Sequence, residues 1–430
     1  MLSYLCTCSE PLTLRRDGKP VHWTDEARHR VAFASDPEFY ALSAFTEGIH
    51  PWQQARILLL LLSESRRDFP LALRAVCERI TLFLLATLPA ETVLTVFLAA
   101  RRARANHRHT ARAILSYLLQ HPAIEALICA QPGVIRDCLE HALGKVQART
   151  FGYYAPRAGQ DLPLPALLRR YGGTEAQIRR LFAVLYFGAG EQTGKCAPPI
   201  ASSGRQPAPA DVLVPLLQQF YRVGTSPALV QQLEAAVASR SAELPTLPGK
   251  IALILDASAS MRGARRQEFT PMALAVAFER VLRVKCPELR PYNIGGFGWP
   301  PAPEGPTDFG RILIDALEGN PDLVVFVTDG FENQNAGDTA CILATVRTLG
   351  LSTPVVCCRI EPDRSGTAPY GGHGTGIPAF PLRGEGDFWV VLQILNLLAT
   401  PQTARESIVH DLRARQERWE TEVYGWTAAS

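Results

Sequence analysis

Residues 251–260, IALILDASAS, decide the fold of the C-terminal half of this chain. A run of Ile, Ala and Leu that follows Gly249-Lys250 and stops at small polar residues predicts a strand buried on both faces. Its polar atoms come at the carboxyl end, on Asp256, Ser258 and Ser260. In an open parallel sheet, ligands bind just outside the carboxyl ends of the strands. One carboxylate and two hydroxyls are hard oxygen donors, suited to Mg2+ or Ca2+ and poorly suited to zinc. Taken alone, the same three residues also read as helix-capping and turn-forming side chains.

Two later segments extend the pattern. LVVFV at 323–327 predicts a second buried strand, ending at Thr328-Asp329-Gly330, and Gly305-Pro306-Thr307-Asp308 leads into an amphipathic stretch at 309–317. The order DxSxS, then a loop threonine, then a strand-end aspartate, resembles the metal-ion-dependent adhesion site of von Willebrand factor A domains, over residues 250–398. The resemblance implies a doubly wound α/β domain with Ser258, Ser260 and Thr307 as direct metal ligands and Asp256 and Asp329 holding the metal's waters. The implied ion is Mg2+, with Mn2+ or Ca2+ as alternatives, and its open position takes a carboxylate of an acidic protein partner. Neutral hydroxyls inside and carboxylates outside leave a divalent ion electron-poor, a chemistry of binding more than of catalysis.

The rest of that half alternates as α/β folds do. Strands are expected at 251–255, 292–296, 323–327 and 354–360, fewer than the A fold generally has. Helices are expected at 266–284, 309–317, 339–349 and 388–398, and a charged helix at 403–424 is expected either to return onto the helical domain, with Trp419, Tyr424 and Trp426 as its apolar contacts, or to lie against the sheet.

The chain has 430 residues, 47% of them hydrophobic and 20% charged, which fits an ordinary globular protein of two or three domains. Residues 1–248 carry 27 Lys and Arg against 20 Asp and Glu, leaving 17 against 21 for the remainder, so the front half is the basic half. A surplus of that size permits an anionic partner without demanding one. Ten cysteines without a CxxC pair fit reduced thiols in a cytoplasmic protein better than a disulfide framework or a zinc site. No basic region followed by an apolar stretch opens the sequence, so no secretory signal is expected. The longest apolar region, 80–100, is split by Pro89 and Glu91 into pieces too short to span a bilayer.

From residue 51 to 145 apolar residues recur at three- and four-residue intervals between brief proline breaks. Helices are expected at 53–63, 71–87, 91–105, 110–120, 123–130, 134–147, 163–170, 175–187, 210–221 and 228–239. Such a succession reads as a HEAT-like all-helical domain over 1–245, or as an irregular helical bundle. A Gly-, Pro- and Ser-rich stretch at 192–209 marks a loop. The α/β domain is then 246–400, and 401–430 is a C-terminal helix.

The densest basic segment is RRARANHRHTAR at 101–112. On one helix Arg101, Arg104, Arg108 and Arg112 would share a face, which bends if Asn106 or Thr110 breaks that helix. Guanidinium forks suit phosphate, and the segment itself holds no acidic residue, although a charge run is usually a solvated face. His107 and His109 are expected on opposite sides of the helix. A basic helical domain followed by an A domain with this metal-site motif resembles the Ro ribonucleoprotein autoantigen family, the TROVE-module proteins. In that family helical repeats form a ring that binds small structured RNAs and the ends of misfolded ones. The resemblance implies a non-enzymatic, RNA-binding ribonucleoprotein component, with the four arginines as candidate RNA contacts. The competing reading is a metal-dependent protein-interaction module without RNA. No P-loop, HExxH or GxSxG element occurs, and Gly371-Gly372-His373-Gly374 reads as a loop.

Overall fold

The computed structural model describes residues 1–14, 23–154, 168, 170, 174–187, 212–330, 335, 337–361 and 377–424. The loops expected at 192–209 and 371–374, most of the helix expected at 163–170, and Trp426 lie outside them. The chain divides into two compact units, one built from residues 3–45 and 49–206, the other from 46–48 and 207–430.

In the first unit every regular element among the described residues is helical. Short helices α1 (Leu2–Thr7), α2 (Glu26–Ser35) and α3 (Pro37–Leu42) precede α4 (Pro51–Ser63), α5 (Leu71–Thr87), α6 (Ala90–Arg102) and α7 (Arg108–Gln120). Then come α8 (Ile124–Ala130), α9 (Pro132–Leu143), α10 (Lys145–Tyr154) and α11 (Glu175–Phe187). The helix expected at 134–147 is two helices, because Gly144 takes φ 88° and turns the chain between them. Helix α4 packs on α6, α6 on α9, and α9 on α7 and α10, so the core is helix on helix.

The described segments 3–14 and 23–45, weakly patterned in sequence, are tied to α4 by a buried polar network. Arg56 on α4 is 0% exposed; its Nε donates to Asp25 Oδ1 at 2.6 Å and its Nη1 to the carbonyls of Glu10 and Trp52 at 2.8 and 3.1 Å. Asp25 Oδ2 accepts from the Tyr4 hydroxyl at 2.7 Å, and His29 sits between Tyr40 (2.7 Å) and Gln53 (2.9 Å). Burial alone would raise the Asp25 carboxyl, but hydrogen bonds from His29, Tyr4 and Arg56 outweigh it and hold the group well below the usual carboxylate range.

The second unit is a parallel sheet with helices on both faces. Its strands are β1 (Lys250–Asp256), β2 (Glu288–Ile294), β3 (Leu323–Thr328), β4 (Val355–Ile360) and β5 (Ala379–Leu382), in the order β2-β1-β3-β4-β5, every pairing parallel. On one face Ala252, Ile254, Val324 and Phe326 pack under α15 (Phe309–Glu318) and α16 (Asp338–Thr348), through Phe309, Leu313, Ala316 and Leu343. The other face carries α14 (Thr270–Lys285) and α17 (Phe388–Ala399), whose Phe278 and Phe388 rings meet at 5.2 Å. Strand β5 escaped the sequence reading because it is four residues long and contains Pro381, which only an edge strand tolerates. Strand β2 is the opposite edge and runs 288–294, four residues ahead of its expected start, since its exposed, Pro291-containing sequence shows no apolar run.

Two further helices, α12 (Leu213–Val223) and α13 (Pro227–Ala242), pack on α14 and on each other and bury Leu217, Phe220, Leu233 and Val237. The boundary expected at 245 therefore moves to 206, ahead of these helices. The C-terminal helix α18 (Pro401–Tyr424) is likewise part of this unit: it packs on α17 through Ala404, Ile408 and Leu412, and Asp411 accepts from Gln393 at 2.7 Å. Among the described residues no single helix is long and apolar enough to cross a membrane.

Candidate metal centre

The strand order reverses between β1 and β3, and in a sheet of this order that switch point is where a crevice opens at the carboxyl edge. Asp256 ends β1 and Thr328 ends β3, and their register, Leu255 opposite Val327, sets the two side by side. Thr328 Oγ1 donates to Asp256 Oδ2 at 2.6 Å, and the Ser258 N–H donates to Oδ1 at 2.9 Å. Both oxygens of a fully buried carboxylate are thus oriented by neutral donors. Burial raises the Asp256 carboxyl; these hydrogen bonds oppose the rise and the charge of Asp329 adds to it. Asp329 directly follows Thr328 at the end of β3 and is partly exposed.

Ser258 and Ser260 open a short 3-10 turn, Ala259–Arg262, and their Oγ atoms lie 3.1 Å apart, the first buried and the second exposed. Thr307 reaches the same place through its loop. Glu304 N–H donates to the Ala257 carbonyl at 2.9 Å, and Ala259 N–H to the Gly305 carbonyl at 3.0 Å, so the loop before Thr307 is laced to the serine loop on both sides. The end of β2 completes the lacing: Ala257 N–H donates to Ile294 O at 2.8 Å and Gly296 N–H to Glu304 O at 3.1 Å. Only glycine fits at 295 and 296. Both have positive φ, and a Cβ on Gly295 would stand 2.3 Å from the Glu304 carbonyl.

The structure therefore brings Asp256, Ser258 and Ser260 into direct contact, and carries Thr307 and Asp329 to the same edge of the sheet. Among the described residues no group of three or more His, Cys, Asp or Glu is placed to hold a metal ion, and the oxygens gathered here are mainly hydroxyls. Two hydroxyls 3.1 Å apart beside a buried carboxylate whose proton affinity is raised form a donor set that fits Mg2+ or Mn2+. Sequence reading gave Thr328 no role. Its function emerges only from the β1/β3 register, which sequence does not display.

The four arginines do not lie on one helix. Helix α6 ends at Arg102 in a Schellman turn: Ala105 N–H returns to Ala100 O, Arg104 N–H to Arg101 O, and Arg104 takes φ 56°. Arg101 is thus on the last turn of α6, Arg104 in the turn, and Arg108 and Arg112 on α7. Arg101 pairs with Asp137 on α9, and Arg112 with Glu78 on α5 at 3.3 Å, acids on other helices that the local sequence hides. Arg104 and Arg108 are exposed and have no acidic partner among the described residues. His107 and His109 were expected on opposite sides, but His107 lies outside the helix and the two rings stack at 5.2 Å. Burial, with Arg66 and His107 nearby, lowers His109 to about 4.

No protein-family profile matches the chain, and no curated protein matches it. Among solved structures it is similar to the Ro (RSR) protein of Deinococcus radiodurans, at 14% identity and a TM-score of 0.44, over 95% of this chain and 99% of that one.

Proposed function

We propose that this chain is a non-enzymatic binding protein whose second unit holds a divalent cation, Mg2+ in the first instance, and uses it to capture a carboxylate of a protein partner. The observation that carries this reading is the Asp256 side chain, buried, bonded to Thr328 and Ser258, and adjacent to the paired hydroxyls of Ser258 and Ser260. Ser258, Ser260 and Thr307 would hold the ion directly, with Asp256 and Asp329 behind them. When bound, the cation supplies an electron-poor position that prefers an anionic oxygen. Calorimetric titration of Mg2+ and Mn2+ into the wild type and Ser260→Ala tests the proposal. The wild type should bind and the variant should bind at least about tenfold more weakly; equal affinity in the two would remove the metal from this site.

A second activity rests on Arg104 and Arg108, two exposed guanidinium groups without acidic partners among the described residues, at the α6–α7 corner of a basic helical unit. These are the arginines best placed for phosphates, and the reading is RNA binding by the helical unit, as the family resemblance implies. Arg101 and Arg112 would contribute only by leaving Asp137 and Glu78.

A further inference from the structure

The loop that laces β2 to the candidate metal site carries Phe297, 85% exposed, between two left-handed glycines, Gly296 and Gly298. Everything around it is fixed. The Gly296 N–H is bonded to Glu304 O at 3.1 Å, and the Ala302 N–H returns to Phe297 O at 3.2 Å. Two residues on, Trp299 is packed edge-on by Phe220 at 5.8 Å and covered by the Arg280 guanidinium at 4.9 Å, while the Pro301 carbonyl accepts from the Tyr221 hydroxyl at 3.1 Å. The loop thus buries part of one aromatic and holds the other out in water.

Phe297 is also close to the metal ligands. A Cβ on Gly296 would stand 2.7 Å from the Ala257 side chain, and Ala257 lies between Asp256 and Ser258. One residue of backbone, about 3.8 Å, separates that contact from the Phe297 Cα. Glu304, Asp308 and Asp329 flank the same loops, Arg262 is shared with Glu268 at 3.1 Å, and Arg265 beside it is exposed, so the rim is mixed in charge and acidic groups interrupt the path that a polyanion would follow. It suits a ligand with one carboxylate, drawn by the cation, and an apolar neighbour.

We propose that Phe297 is the specificity-determining half of the ligand site, taking an apolar side chain that lies within a residue or two of the acidic residue in a protein segment. This rests on the metal-site reading above: the cation takes the acid, and the aromatic selects its neighbour. Truncating a central aromatic contact of this kind weakens binding by about tenfold.

The test is selection of a displayed peptide library, with a fixed central Asp and random flanks, on the full-length chain in Mg2+ and again in EDTA, using wild type, Phe297→Ser and Ser260→Ala. Thermal melting and Mg2+ calorimetry of Phe297→Ser check that fold and ion affinity are those of the wild type. The expected result is Mg2+-dependent enrichment of peptides with an apolar residue beside the Asp. Phe297→Ser should keep the Mg2+-dependent retention of Asp peptides but lose the apolar preference, and bind the enriched peptides about tenfold more weakly. An unchanged apolar preference in Phe297→Ser overturns the proposal and leaves the metal site standing. Enrichment that persists in EDTA or in Ser260→Ala overturns the metal reading and the proposal with it. Failure to enrich any peptide, with Phe297-dependent retention of oligouridylate instead, assigns this face to RNA and also overturns it.

Discussion

Thr328 donates its hydroxyl proton to Asp256 at 2.6 Å and accepts the Gly330 N–H at 3.0 Å, so one side chain ties the end of β1 to the turn after β3. It fixes which way the Asp256 carboxylate faces without adding charge. Asp256 is itself too buried to be oriented by water.

Replacing Thr328 by Val keeps the branched shape that suits a buried strand and removes only the hydroxyl. Asp256 Oδ2 then loses its donor, and a misdirected outer carboxylate is expected to weaken Mg2+ binding by about 10- to 100-fold. Thr328→Ser should restore most of the affinity. Calorimetric titration decides it: an unchanged Thr328→Val affinity would show that the hydrogen bond serves the fold and not the ion.

The Asp25–Arg56 pair sets the acid stability of the helical unit. Its geometry is that of a buried pair with further hydrogen bonds, in which removing one partner typically costs about 3–5 kcal/mol. Asp25→Asn should therefore destabilise the chain by that order. The Asp25 carboxyl is lowered in the folded state, so the stability it contributes is present above its unfolded pKa of about 3.9 and is lost as the pH falls below that value toward the folded one. Denaturant melts of wild type and Asp25→Asn should accordingly converge as the pH is lowered through that window. A gap between them that stays constant through it would mean that Asp25 is not held ionised by His29, Tyr4 and Arg56.

Helices α12 and α13 decide where the second unit can be cut. A fragment of residues 207–430 keeps them on α14 and should unfold cooperatively. A fragment starting at 244 strips Leu217, Phe220, Leu233 and Val237 from that contact and uncovers the face of α14 beneath, a loss of several buried apolar side chains at about 1.5–3 kcal/mol each. It should melt at markedly lower temperature or aggregate. Equal melting of the two fragments would show that these helices merely lie on the unit.

How far the sequence was legible follows from the range of each signal. Helices α5 and α11 are found where the three- and four-residue spacing put them, and β1 and β3 within a residue, because a periodic or unbroken apolar run is a local pattern. Asp256 and Asp329 could be placed at the carboxyl edge of the sheet because each follows or ends an apolar run, which marks the strand ends. What escaped is set by partners distant in sequence. The helical pattern of 213–242 says nothing about whether those residues pack forward or back; Thr328 matters only through Asp256, 72 residues away; and Asp137 and Glu78 reach Arg101 and Arg112 from other helices. The break after α6 was hidden for another reason. A Schellman turn normally advertises itself with glycine, and here an arginine takes the left-handed position.

That turn shapes the remaining prediction. Arg104 and Arg108 are exposed and have no acidic partner among the described residues, so phosphate contact would cost them no ion pair, whereas Arg101 and Arg112 would have to give up Asp137 and Glu78. If the helical unit binds single-stranded RNA here, Arg104→Gln with Arg108→Gln should weaken it more than Arg101→Gln with Arg112→Gln. Each phosphate contact removed should flatten the slope of log affinity on log salt by roughly 0.7, since fewer condensed counterions are released. The melting temperature of the Arg104/Arg108 double variant should hardly move, because exposed charges contribute little to stability. Fluorescence anisotropy of a labelled oligouridylate over a salt series measures both quantities. An affinity and slope equal to wild type in the Arg104/Arg108 double variant would take RNA away from this corner.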